Sequence, residues 1–435
     1  MERHLYLSTK ILKRLINLTL AFTIRVIAAL GSAALAFALA NSVPAKDVGN
    51  FYFVLTVCLG LSIVARNGLE RSIVRFLPHL EEDAQVGFKN PQFVLLWFNI
   101  KRVVLRSLVI VAMLGIVYCL SPYLQVVDFY CYVMMIPLIS LNLVISGFNR
   151  GTYRPSYAIL FEIGVLSLIS SGLIVCIKFS DIGLTLNIVF ICFSLSALLI
   201  LCFYFSRTFA KLYNSLKEES IKNIGLVAYD NQIKTNNSFM TMTLAVFAQQ
   251  LVIVWVLGVI IDPAQLAVYK ISEKIAVTIA FFQSVIVAIY APYFSKYANS
   301  NEIEKFIKTY TRSLLLGIAL ALPPFIFILL FSDWLLTFFG NDFAEGGVVL
   351  VILALAQLNN VIYGQAGLAL NMSGNEKDTK LIIVLVAVIS IPVTYFFSVE
   401  LGIVGAAISV FVSAALNNIS CLSRLMWLRK KERLI

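Results

Sequence analysis

The chain has 435 residues, 60% of them hydrophobic and only 13% charged, with a formal net charge of +11. This leaves too little polar sequence for a sizeable soluble catalytic domain, and just two histidines for acid–base or metal chemistry. Nor is the positive charge a nucleic-acid footprint, because it is spread over many short segments rather than gathered in one patch.

Twelve apolar stretches predict membrane spans, since a bilayer-crossing helix needs roughly 20 apolar residues. They lie near 18–40, 49–66, 103–120, 128–148, 156–177, 183–205, 239–260, 264–291, 313–332, 347–370, 381–399 and 402–427. The first follows a basic N-terminus and ends at Ala38-Leu39-Ala40, which resembles a signal-peptide cleavage site. Its apolar run contains Arg25 and exceeds the roughly 7–15 residues of a signal core, so it reads as a retained span.

Counting loops from an N-terminus inside, nearly all of the Lys and Arg outside the spans fall on one side, and the opposite loops hold only Lys46 and Lys178. Those opposite loops carry acids instead, among them Asp47, Asp128, Asp262, Asp342 and Glu400. By the positive-inside rule, both termini are expected to be cytoplasmic. The seven cysteines are scattered, nearly all in spans, and give neither a disulfide framework nor metal-ligand spacing.

The halves match each other at one offset. Pro44-Ala45 follows the first span and Pro263-Ala264 the seventh, 219 residues apart. SDIGL at 180–184 and VELGI at 399–403 precede the sixth and twelfth spans at the same offset. An even number of spans per half makes this a parallel repeat, a transporter pattern. The expected fold is therefore an all-α polytopic membrane protein, with twelve transmembrane helices in two six-helix lobes. The N-terminal lobe is 1–205 and the C-terminal lobe 239–435. A polar, basic cytoplasmic linker, 206–238, joins them. Pro137, Pro323-Pro324 and Pro392 fall inside spans. They are either hinge points or simply the prolines that membrane helices tolerate.

Ionisable residues within or at the edges of spans carry the functional signal. They are Arg25, Arg66, Arg71, Arg75, Lys270 and Lys274, with the acids Glu70, Glu162 and Glu273. A charge at mid-bilayer costs at least ~3 kcal/mol, so each should face a partner or a wet cavity. Glu70 lies four residues after Arg66 and Glu273 three after Lys270, spacings that allow pairing on one helix face. Arg25 and Lys274 have no such partner in their own spans, although Glu162 could reach Arg25 from the fifth span. Arg71 and Arg75 sit near the interface, where snorkelling alone would explain them. The excess of bases suits an anionic passenger, and Arg66, Lys270, Lys274 and Arg25 are expected to line a central cavity between the lobes, with Arg71 and Arg75 as further candidates for that cationic lining.

The segment NSVPAKDVGNFYFVLTVCLGLSIVARNGLERSIVRFLP resembles the start of the polysaccharide-transporter (O-antigen flippase-like) family, through Pro44, Asp47, Gly49, Tyr52, Gly68, Leu69, Arg71 and Arg75. DPAQLAVYKISEKIA and NMSGNEK resemble its eighth span and its tenth-to-eleventh loop. The family belongs to the multidrug/oligosaccharidyl-lipid/polysaccharide exporter superfamily, whose fold is two six-helix lobes around a cavity. The resemblance implies a bacterial inner-membrane flippase for undecaprenyl-diphosphate-linked oligosaccharide units, without a cofactor. It would be coupled to a proton, to sodium or to the membrane potential. Membrane lipid, and a polysaccharide polymerase and chain-length proteins, are the implied partners. The chain departs from the family at Gln249-Gln250, where many members have an acidic–basic pair, so a coupling-ion role for that pair is in doubt. The rival readings are a multidrug/cation antiporter and a lipid II flippase of the same superfamily. An enzyme of the same pathway is disfavoured by the short outside loops and the lack of any catalytic constellation.

Overall fold

The computed structural model describes residues 23–24, 26–74, 77, 91–125, 127–152, 154–180, 183–217, 229, 240–241, 243–300 and 302–430. Among them the chain is mostly helical, and the predicted spans fall on helices, the fifth being split by a turn between Pro155–Ile159 and Ile163–Lys178. In chain order these are α1 (Val26–Ala40), α2 (Ala45–Arg66), α3 (Pro91–Leu120), α4 (Phe129–Gly151), α5 (Ile163–Lys178) and α6 (Leu186–Lys217). The second series is α7 (Thr243–Ile261), α8 (Pro263–Asn299), α9 (Ile303–Thr337) and α10 (Gly347–Tyr363), continued by a short helix Gln365–Met372. The last helical stretch, Glu376–Lys430, is broken at Gly402, giving α11 before it and α12 after it.

Eight helices among the described residues are long and apolar enough to cross a membrane, with Lys377–Leu428 counted as one. The broken stretch supplies one more. The apolar helices α1 and α5 are shorter, and α8 reaches 37 residues. Several helices overrun the predicted spans at their basic ends. Helix α3 begins at Pro91, α6 runs on to Lys217, and α9 begins at Ile303. Hydropathy marks only the hydrocarbon slab, whereas a helix continues through the headgroups wherever Lys and Arg stems can reach water.

The described chain forms two compact units. One comprises 1–42 and 54–243, the other 43–53 and 244–435. The linker predicted over 206–238 lies outside the described residues except for 206–217, which extends α6, and Tyr229. Tyr229 belongs to the first unit, where Arg102 Nη1 donates to its hydroxyl at 3.2 Å and Phe98 packs on its ring.

Small residues let backbones meet in the first unit, as expected where apolar side chains gain nothing over lipid. A Cβ on Gly164 of α5 would lie 2.3 Å from the Ala28 carbonyl oxygen of α1, and one on Gly31 would lie 2.3 Å from the Gly164 oxygen. On α4, Gly147 and Gly151 are four apart. A Cβ on Gly147 would lie 2.5 Å from the Glu70 carbonyl oxygen. Gly147→Leu should therefore destabilise the protein by about 1–3 kcal/mol, the range for overpacking. Gly172→Ala, with nothing within 4 Å of its added methyl, should be neutral or stabilising. Thermal unfolding of the two purified variants checks this, and equal melting temperatures would refute the close approach.

In the second unit α8, α9 and α10 pack on one another, and α10 also packs against the α11–α12 stretch. Helix α7 ends in a π turn, Val256–Ile261. Asp262 then caps α8 by accepting from the Ala264 amide at 3.0 Å, with Pro263 at the first helical position. A Cβ on Gly49 would lie 1.7 Å from the Pro263 carbonyl oxygen, so the first turn of α2 packs straight onto the start of α8. The prolines inside spans do not break their helices. The non-helical residue in α9 is Phe331 (φ −125°, ψ 24°), beyond Pro323-Pro324, and that in the last stretch is Gly402, ten residues after Pro392.

Candidate functional site

On α8 the three-residue spacing brings Lys270 and Glu273 together. Lys270 Nζ lies 2.8 Å from Glu273 Oε2, and Lys270 is only 7% exposed. The ammonium also sits 5.7 Å from the centre of the Tyr269 ring, a cation–π distance. Lys274 follows, half-buried, interacting electrostatically with Glu273 but making no hydrogen bond or ion pair among the described residues. Tyr52, from the part of α2 that belongs to the second unit, faces Glu273 as well. Two bases share one acid here, so the group carries net positive charge inside the membrane.

Glu273 and Tyr269 also border a cavity of about 370 Å3 within the second unit. Its polar lining includes Gln249, Gln250, Gln357, Asn360 and Asn417. Gln249 Nε2 donates to Ser413 Oγ at 2.7 Å and to Thr394 Oγ1 at 3.3 Å, tying α7 to α12 and α11. Asn418 Nδ2 donates to the side-chain oxygens of Asn359 and Asn360, at 3.0 and 3.1 Å, tying α12 to α10. Asn417 Oδ1 is buried and has no hydrogen-bond partner among the described residues. The sequence reading did not single out these amides of α10 and α12. The signal was present in the pairs Asn359-Asn360 and Asn417-Asn418, which interrupt otherwise apolar spans.

In the first unit, α2 stops at Arg66, because Asn67 (φ 48°) and Gly68 (φ 74°) adopt left-handed conformations before helix resumes over 69–74. Arg66 is 5% exposed and pairs with Glu70 at 2.8 Å. Its Nε donates to the Ser62 carbonyl and hydroxyl oxygens, both at 3.1 Å, and Ser140 of α4 donates to the same hydroxyl at 3.1 Å. Glu70 Oε2 is buried without a hydrogen-bond partner among the described residues. The pair is thus neutral, anchored on one side and open on the acid. Arg71 is exposed. Glu162 pairs with Arg150, at the end of α4, across the turn that leads into α5. That partner was not foreseen, because the pairing depends on the reversal between two helices and not on spacing along one. Arg25 and Arg75 lie outside the described residues.

Residues 238–396 match the model of the MatE family. A stretch of 169 residues is 29% identical to the probable low-salt glycan biosynthesis flippase Agl15 of Haloferax volcanii. That match covers 38% of this chain and 35% of the relative, so the chain spans about a third of the curated relative's length. The fold is similar to that of the lipid II flippase MurJ in an inward closed conformation. There the TM-score is 0.69 at 12% identity, over 95% of this chain and 87% of that one. It is also similar to an inward-facing multidrug resistance MATE family transporter, with a TM-score of 0.61 at 16% identity, over 96% and 99%. At these identities the likeness is one of fold. The described helices thus form a multi-pass, membrane-type bundle whose fold is similar to that of these transporters, with a MatE match over 238–396.

Proposed function

We propose that the protein is a flippase that moves undecaprenyl-diphosphate-linked oligosaccharide units, of O-antigen or a similar surface polysaccharide, across a bacterial inner membrane by alternating access. The observation that carries this reading is the α8 group. Lys270 and Glu273 neutralise each other, and Lys274 remains as a half-buried cation without an ion pair among the described residues. Such a charge is stable in a membrane only if it meets water or an anion, and a diphosphate is a fitting anion. Arg25, the other unpaired base expected from the sequence, lies outside the described residues. Arg66 contributes less, because Glu70 already balances it. The curated relative's role in glycan biosynthesis supports a sugar-bearing passenger over a drug cation, and an antiporter for cations would gain nothing from a positive site. Both termini are cytoplasmic in this proposal, so the passenger is loaded on the basic face.

The test is complementation. In cells lacking their own O-antigen flippase, the chain should restore surface polysaccharide, and a reporter fused after Ile435 should be active in the cytoplasm. A reporter active only outside the cell overturns the orientation. A well-expressed chain that restores no polysaccharide, yet lowers drug accumulation, overturns the substrate.

A further inference from the structure

A second cavity lies wholly within the first unit, away from the charged groups of α2 and α8. It has a volume of about 440 Å3 and is enclosed by the end of α4, the turn into α5, and α6. This is within the range of small-molecule sites. Its two ends differ in chemistry. Toward the lobe's basic end stand Arg154 and Arg207, with Tyr157 and Thr208 beside them. From Arg207 back to Leu199 along α6, and from Arg154 forward to Ile169 on α5, the wall turns apolar. At 1.5 Å per residue, the α6 wall alone gives about 12 Å of apolar depth. Tyr204, bonded to the Asn149 side chain, holds α6 against α4 at the floor.

Two further observations point to an occupant. First, both arginines are exposed, and neither has an ion pair among the described residues. The nearby acid, Glu162, is engaged by Arg150. The Arg207 guanidinium lies 4.4 Å from the centre of the Phe203 ring, which holds it at the mouth. Second, the apolar wall runs on into an outward face of α6. Ile191, Leu195, Leu198, Leu199 and Phe203 are all exposed there, as on a lipid-facing surface.

We propose that this groove is a binding site for an anionic phospholipid. Its phosphate lies between Arg154 and Arg207, and one acyl chain lies along the α5–α6 wall. Guanidinium groups bind phosphate bidentately, and basic pockets between membrane helices bind anionic headgroups. The groove's depth is too apolar to hold a sugar chain. Its continuity with the exposed face of α6 suits a lipid that arrives from the bilayer.

The experiment counts lipids that stay on the full-length protein in native mass spectrometry after exposure to phosphatidylglycerol or phosphatidylcholine. One phosphatidylglycerol should be retained about tenfold over phosphatidylcholine. Arg154→Gln combined with Arg207→Gln should bring the ratio near parity, whereas Lys217→Gln should leave it unchanged. Ile200→Trp keeps both charges but fills the groove, and should also lower phosphatidylglycerol retention. If the double variant does not fold, the parent protein and Ile200→Trp decide the matter alone. Equal retention of the two lipids by the parent overturns the proposal, as does undiminished preference in the variants. Displacement of phosphatidylglycerol by equimolar undecaprenyl phosphate also overturns it, since the groove would then belong to a polyprenyl phosphate.

Discussion

Lys274→Ala is expected to abolish glycan export without lowering the protein's stability. A half-buried ammonium with no ion pair among the described residues is a cost to the folded state, so its removal should leave the melting temperature unchanged or raise it. Its loss should fall on the passenger instead. A hydrogen bond to a charged group contributes about 1.5–3 kcal/mol, or a loss of about ten- to a hundredfold in phosphate affinity. Lys274→Arg keeps the charge and should retain part of the activity, because a single point charge demands little of the donor geometry. Surface polysaccharide and thermal unfolding are to be measured on the same variants. If stability and export fall together in Lys274→Ala, the residue is structural and the anionic-passenger mechanism loses its main support.

The second large effect concerns the buried pair in α2. Glu70→Ala leaves the Arg66 guanidinium buried with only Ser62 as a partner among the described residues, and should cost about 3–5 kcal/mol. Replacing both members, as Arg66→Met with Glu70→Leu, removes the charge altogether and should recover most of that loss. The denaturation midpoints of Arg66→Met, Glu70→Leu and the double variant form a cycle with the parent. Additive losses would mean the pair is not coupled, contrary to its 2.8 Å separation. The double variant also separates two roles for Arg66. If it folds and exports normally, Arg66 only anchors α2. If it folds but does not export, the guanidinium acts on the passenger.

The spans were legible because each is an apolar run of membrane length. The i,i+4 pair of Arg66 with Glu70 and the i,i+3 pair of Lys270 with Glu273 were legible because a helix fixes which residues share a face. What the sequence hid falls into two kinds. Helix ends such as Pro91 and Lys217 lie outside the hydrocarbon slab, where hydropathy carries no signal. Cross-helix contacts, such as Glu162 with Arg150, Gln249 with Ser413, and Asn418 with Asn360, need the packing of separate spans before they exist. The cavity beside Glu273 belongs to this second kind, since five helices contribute to its lining. Gly183 and Gly402 lie 219 residues apart within the repeated segments, and only the second takes a positive φ, 59°.

That turn at Gly402 has a consequence for how the protein is made. Helix α12 folds back on α11 so sharply that a Cβ on Gly405 would lie 1.8 Å from the Phe397 carbonyl oxygen. A single non-helical residue separates the two spans, so no slack chain exists to let one be threaded before the other. Insertion of the two spans together, as one hairpin, is the expected consequence, since α11 without α12 lacks the partner its reversal requires. Residues inserted next to Gly402 should therefore harm biogenesis more than transport, yielding degraded protein and not an inactive transporter.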